Sequence, residues 1–82
     1  IEAISLENGL MNDYMAEVMT DRAIIGMAPE LILVADHTKF SKTASAIVAP
    51  LSRVTTLVTD SGIDPTLIDR IRAMGIQVVL AG

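Results

Sequence analysis

Cysteine and tryptophan are absent from these 82 residues, and Tyr14 and Phe40 are the only tyrosine and phenylalanine. Without cysteine, the chain can form neither a disulfide framework nor a thiolate metal site. Its single histidine, His37, is too few for the several convergent ligands of a metal site. We therefore expect no metal and no cofactor, and a reducing cytoplasm as the location.

Basic residues are also scarce. Six Lys and Arg stand against ten Asp and Glu, for a net charge of −4, and no basic run occurs. This balance argues against nucleic-acid binding by these residues. The apolar stretch 23–34 is too short, and too interrupted by Pro29 and Glu30, to span a membrane. The N-terminus lacks the features of a signal peptide, so we expect no membrane association.

Aliphatic residues are abundant, and hydrophobic residues make up 51% of the chain. Strands buried on both faces of a parallel sheet have this composition. So much aliphatic surface on so short a chain, which begins with Ile1 rather than Met, suggests part of a larger protein.

Two helices are predicted. The first runs over 13–28 and is ended by Pro29. The second runs over 64–74, with Asp64 as its N-cap and Gly75 after its last residue.

Four strands are predicted around these helices, and 37–43 should be a polar loop. Residues 1–12 give only weak signals. The order helix–strand–strand–helix–strand predicts an α/β fold with a largely parallel sheet and flanking helices. The strands are expected over 31–35, 44–48, 55–59 and 76–80, and the alternative for 44–48 is a single helical turn.

A polar cluster follows the first confident strand, where Asp36, Thr38 and Lys39 stand directly after an apolar run. Ligands collect at the carboxyl ends of strands in open α/β sheets. A lysine ammonium beside a hydroxyl suits a phosphate group. The alternative is that Asp36 caps a turn and Lys39 is solvated.

Three further residues are candidates with plainer alternatives. Asp60 ends a strand and could hydrogen-bond a ligand hydroxyl, or could cap the Ser61–Gly62 turn. Glu17 could be a general base, or a salt-bridge partner on its helix. His37 is interpreted as a loop residue near the rim of the pocket. Neither a nucleophile elbow nor a glycine-rich phosphate loop occurs, and we assign no catalytic residue.

Several segments, in the same order, resemble the DeoR family of bacterial transcriptional regulators. The segment from Ala35 to Phe40 is similar to that family's Asp-x-Ser-Lys-Phe motif, with Thr38 in place of the serine. The other matching segments are Ile4–Met11, Glu17–Val18, Arg22–Ile25, Leu57–Asp60 and Gly75–Val79.

The resemblance implies a fold like that of ribose-5-phosphate isomerase and coenzyme A transferases. Residues 1–82 would be the C-terminal portion of an effector-binding domain that senses a phosphorylated sugar. The full-length protein would be a repressor of a sugar-utilisation operon and a homo-oligomer. It would bind operator DNA only through an N-terminal domain that is absent here.

The resemblance also implies a ligand site. Lys39 would contact the phosphate, with Asp36, Thr38, Asp60 and Glu17 as further binding residues. Two other functions stay open: a pentose-phosphate isomerase-like enzyme, and a scaffold that serves self-association alone. We expect a regulator without enzymatic activity.

Overall fold

The computed structural model describes residues 1–82 as six short strands, two α-helices and two 3-10 turns. Both predicted helices and all four predicted strands are present, each shorter than predicted. The elements are β1 Ala3–Ser5, β2 Gly9–Asn12, α1 Met15–Met27, β3 Ile32–Val34, the first 3-10 turn His37–Ser41, β4 Ala46–Ala49, the second 3-10 turn Leu51–Arg53, β5 Thr56–Thr59, α2 Pro65–Ala73 and β6 Gln77–Leu80.

The strands form two sheets rather than one. Strands β3, β5 and β6 form a parallel sheet in the order β3-β5-β6. Strands β1, β2 and β4 form an antiparallel sheet in the order β1-β2-β4. The fold is therefore α/β with mixed sheets, and the prediction of one largely parallel sheet is wrong for the antiparallel half.

The antiparallel sheet begins with a hairpin that the sequence signals only through its Asn8–Gly9 turn. Gly9 has φ +79°, a left-handed conformation that side chains with a Cβ rarely adopt. A Cβ at this position would lie 2.2 Å from the carbonyl oxygen of Ala49, on β4. Glycine therefore closes the hairpin and allows the chain at β4 to approach it.

The core lies between the sheets and the helices. Leu33, Leu57 and Val78 are in register on one face of the parallel sheet and are all buried. Ile68 and Ile71 of α2 belong to the same buried cluster. Residues of the antiparallel sheet and of α1 complete that cluster, so one core serves both sheets.

The second helix is specified locally. The Asp64 carboxylate accepts a hydrogen bond from the backbone N–H of Thr66 at 2.9 Å, and Pro65 occupies the first helical position. Gly75 follows the helix with φ +86°. Caps at both ends fix where α2 begins and ends, and residues 60–64 connect it to β5.

The first helix depends on tertiary contacts. Arg53 Nη2 donates to the carbonyl oxygens of Ile25 and Ala28, at 2.6 and 3.0 Å, and so caps the C-terminal end of α1. Val18 and Ile25 are buried, whereas Met27 is 79% exposed. Neither α1 nor α2 has the length and apolar content that a membrane crossing would require.

The close approach at Gly9 gives a stability prediction. In the full-length protein, Gly9→Ala should lower the free energy of unfolding by about 2–4 kcal/mol, because it adds both left-handed strain and a backbone clash. Urea unfolding followed by circular dichroism measures the loss.

Gly26→Ala is the matched control, since it adds the same methyl group inside α1 with no neighbour within 4 Å. It should raise stability by about 0.5–1 kcal/mol. Equal effects of the two substitutions would contradict the close packing of the hairpin against β4.

Candidate functional site

The carboxyl ends of β3 and β5 lie side by side and bring two polar segments together. Val34 is in register with Val58, and the N–H of Ala35 donates to the Val58 carbonyl oxygen at 3.0 Å. The chain leaves β3 at Asp36 and leaves β5 at Asp60. Parallel pairing is therefore what places these two carboxylates at one edge of the sheet.

Asp60 is the most heavily hydrogen-bonded group at this edge. Its carboxylate accepts from the backbone N–H of His37 at 2.7 Å and from the N–H of Gly62 at 3.1 Å. It also lies 2.7 Å from His37 Nδ1. The backbone N–H of His37 is the main cause that lowers the pKa of Asp60 to about 2. Asp60 both caps its turn and holds the loop after β3.

The ionised Asp60 carboxylate also fixes the chemistry of His37. A carboxylate can only accept, so the neutral imidazole carries its proton on Nδ1 and donates it to Asp60. Nε2 is then an acceptor without a protein partner. His37 and Asp60 form the one ion pair of the chain when the imidazole is protonated. We call these two side chains the His37–Asp60 pair.

Gly62 leaves the space that the His37–Asp60 pair occupies. A Cβ on Gly62 would lie 2.6 Å from His37 Nδ1 and 2.8 Å from Asp60 Oδ2. Both distances are shorter than real Cβ contacts, and both atoms are held by the hydrogen bond between them. The absence of a side chain at this position is therefore a condition for the pair.

Asp36 caps the 3-10 turn His37–Ser41. Its carboxylate accepts from the backbone N–H of Thr38 at 2.9 Å and from the Thr38 hydroxyl. The hydroxyl donation is the main cause that lowers the pKa of Asp36. Asp36 therefore caps a turn, as the alternative from the sequence had it, and the Thr38 hydroxyl donates its hydrogen bond to Asp36.

Lys39 lies in the middle of this turn and is half-buried. Its backbone N–H donates to the carbonyl oxygen of Asp36 at 3.2 Å. Its ammonium makes no hydrogen bond or ion pair within the chain, and it attracts the Asp36 carboxylate at longer range. The turn therefore carries a positive charge next to the two capped carboxylates.

A cavity of about 300 Å³ lies between this turn and the start of α2. Its lining includes both apolar and polar side chains. The lining residues are His37, Phe40, Ser41, Gly62, Ile63, Asp64 and Leu67. His37, interpreted from the sequence as a rim residue, lines the cavity and is held by Asp60. Sequence reasoning missed Asp64 and Leu67 as cavity residues, because α2 is near the turn only in three dimensions. It also missed Ser41, the last residue of the turn itself.

Glu17 is separated from the other four predicted site residues. It lines a different cavity, of about 500 Å³, together with Asn12 and Asp21. There the Asn12 amide donates to the Asp21 carboxylate at 2.7 Å, and the side-chain oxygen of Asn12 accepts from the N–H of Glu2. No group of three metal-ligating side chains gathers anywhere in the chain.

One buried hydroxyl at the end of β5 has no partner. Thr59 is 4% exposed and its Oγ1 makes no hydrogen bond. Buried hydroxyls are normally satisfied by protein or by ordered water. It is the one unsatisfied buried side chain of the structure, and it directly precedes Asp60.

Comparison with known proteins gives a consistent result. The family model described as the DeoR C terminal sensor domain matches residues 1–61. A candidate sgc region transcriptional regulator of Escherichia coli K12 is 40% identical over 79 residues, which are 96% of this chain. A candidate aga operon transcriptional repressor of Escherichia coli O157:H7 is 27% identical over all 82 residues. The chain spans 30% of the length of each relative.

The hydrogen bonds to Asp60 give a pH prediction. The pKa of Asp60 in the folded protein is about 2, below its ordinary 3.8, so folding favours the ionised form. This stabilisation is complete above the ordinary value and is lost as pH falls through the folded value. Stability should therefore fall between pH 4 and pH 2, and Asp60→Asn should make that fall shallower.

Asp69→Asn is the control, because Asp69 is an exposed carboxylate on α2. Chemical denaturation of the full-length protein at several pH values compares the three proteins. If Asp60→Asn and Asp69→Asn keep the same pH dependence as the parent, Asp60 does not contribute in this way.

Proposed function

Since the chain belongs to the DeoR family, whose C-terminal sensor domain it matches, we propose that it senses an effector for a transcriptional regulator, and that the effector is a phosphorylated sugar. Residues 1–82 are then the C-terminal portion of the effector-binding domain. The full-length protein acts as a cytoplasmic repressor and binds operator DNA through an N-terminal domain. The names of the two relatives, a regulator and a repressor, support this role.

The observation that carries the effector proposal is the Lys39 ammonium. It lies at the carboxyl end of parallel strands and has no partner within the chain. A lysine in such a place binds a phosphate as a point charge. The nearby Asp36 and Asp60 carboxylates already accept hydrogen bonds from Thr38, His37 and Gly62, which reduces their repulsion of an incoming anion.

Lys39 alone does not complete a phosphate site. A phosphate group has several acceptor oxygens, and the Thr38 hydroxyl donates to Asp36 instead. The remaining donors are to come from the part of the regulator outside these residues. Asp36 and Asp60 hold the loop that presents Lys39, and Glu17 lies apart from it, in the separate cavity beside α1.

Regulation follows from differential affinity. An effector changes operator binding only if it binds one state of the regulator more tightly than the other. The loop after β3 suits such a role, because its position depends on the hydrogen bonds of Asp60.

We also propose that the full-length protein is a homo-oligomer, which the exposed apolar side chains of α1 support. We propose no catalytic activity.

The effector proposal is tested by removing one charge. In the full-length protein, Lys39→Ala should weaken binding of the sugar phosphate by about 10- to 150-fold, because a charge-assisted hydrogen bond contributes about 1.5–3 kcal/mol. Isothermal titration calorimetry with a panel of pentose and hexose phosphates measures the affinity.

Lys42→Ala is the matched control, since Lys42 is an exposed lysine three residues further on. It should bind as tightly as the parent protein. Equal affinity of Lys39→Ala and the parent protein would remove the role proposed for Lys39.

A further inference from the structure

The cavity beside the 3-10 turn His37–Ser41 is lined by hydrogen-bond acceptors and apolar side chains, whereas Lys39 offers a positive charge. We propose that this cavity binds the hydroxylated carbon chain of the effector, with His37 and Asp64 accepting hydrogen bonds from its hydroxyl groups. This inference rests on the proposed function, and it assigns the two ends of the effector to different residues. Lys39 takes the phosphate, and the cavity takes the sugar.

The polar lining residues of the cavity offer hydrogen-bond acceptors. With Nδ1 of His37 engaged by Asp60, Nε2 is the free acceptor of the ring. One carboxylate oxygen of Asp64 accepts from the N–H of Thr66, and the other has no hydrogen bond in the chain. The Ser41 hydroxyl donates to the carbonyl oxygen of Thr38 at 2.9 Å, so its oxygen also remains an acceptor. The hydroxyl groups of a sugar can donate hydrogen bonds to these acceptors.

The cavity also has apolar lining residues. These are Phe40, Ile63 and Leu67, and Phe40 is the only phenylalanine of the chain. The C–H groups of a sugar pack against apolar and aromatic surface while its hydroxyls bond to polar groups at the edge. A cavity lined by both hydrogen-bond acceptors and apolar side chains therefore matches a polyhydroxylated chain.

The size of the cavity limits the ligand. Its volume is about 300 Å³, at the lower end of the range for small-molecule pockets, about 300–1,000 Å³. This volume suits a chain of five or six carbons.

Charge keeps the phosphate out of the cavity. Asp64 lines it and Asp60 lies behind His37, while no lysine or arginine is among the lining residues. An anion would therefore be repelled from it. Lys39 is two residues from His37 in the same 3-10 turn, which corresponds to about 4 Å along the turn axis. In the proposed complex, one sugar phosphate spans from the cavity to Lys39.

The test uses the full-length protein and separates the two ends of the ligand. The probes are inorganic phosphate, glycerol 3-phosphate, ribose 5-phosphate and glucose 6-phosphate. Leu67→Trp fills the cavity, and Arg70→Trp adds the same ring to an exposed position of α2. His37→Phe keeps a ring but removes both nitrogen atoms.

The expected result is selective. Leu67→Trp should weaken binding of ribose 5-phosphate or glucose 6-phosphate by at least about tenfold, and His37→Phe by about three- to tenfold, the effect of one neutral hydrogen bond. Leu67→Trp should bind inorganic phosphate within about twofold of the parent protein, which also shows that it is folded. Arg70→Trp should bind every probe like the parent protein.

Three results would overturn the inference, and they differ in what they leave standing. If both cavity variants bind the sugar phosphates normally while Lys39→Ala does not, the cavity assignment is wrong and the proposed function survives. If Leu67→Trp also loses inorganic phosphate, the division of the ligand between two sites is wrong. If the parent protein binds none of the phosphorylated probes, both the inference and the proposed function fail.

Discussion

The geometry of the site depends on the Asp60 carboxylate. It accepts two hydrogen bonds from His37 and one from Gly62, and so joins the loop that follows β3 to the turn that follows β5. The 3-10 turn begins at His37, so this contact fixes Lys39 and Phe40 relative to the end of β5. Gly62 is the condition for this arrangement, because any Cβ there would displace the imidazole or the carboxylate.

The contact between His37 and Asp60 depends on the parallel pairing of β3 with β5. The register of β3 with β5 brings the two strand ends level, and only then can a backbone N–H from one loop reach a carboxylate of the other. The caps of α2 place its first turn beside the same edge. The loop after β3, the turn after β5 and the first turn of α2 thus meet at one cavity, and each is held by hydrogen bonds within the chain. Such preorganisation reduces the entropy that binding must overcome.

Local signals made part of this structure predictable. Strands β3, β5 and β6 are continuous aliphatic or β-branched runs, and α2 carries its own caps, so each element was predicted from neighbouring residues. The β1–β2 hairpin was missed because its strands have only three and four residues and β2 is buried throughout, without an alternating pattern. Strand β4 was predicted, but its antiparallel partner β2 is more than 30 residues away along the chain.

The site was predictable to a similar degree. The strand-end rule identified Asp36 and Asp60, and the structure brings their loops together. The contact between His37 and Asp60 spans 23 residues, and no local pattern announces it. Glu17 was grouped with the site through the family resemblance, whereas α1 packs on the antiparallel sheet and carries Glu17 to another cavity. The separation of a positive turn from an acceptor-lined cavity is visible only in three dimensions.

A crystal structure of the full-length protein with a bound sugar phosphate is the most direct measurement. We expect a phosphate oxygen within hydrogen-bond distance of Lys39 Nζ, and the carbon chain in the cavity between His37 and Leu67. A phosphate bound away from Lys39, with the His37–Leu67 cavity filled only by water, would contradict it.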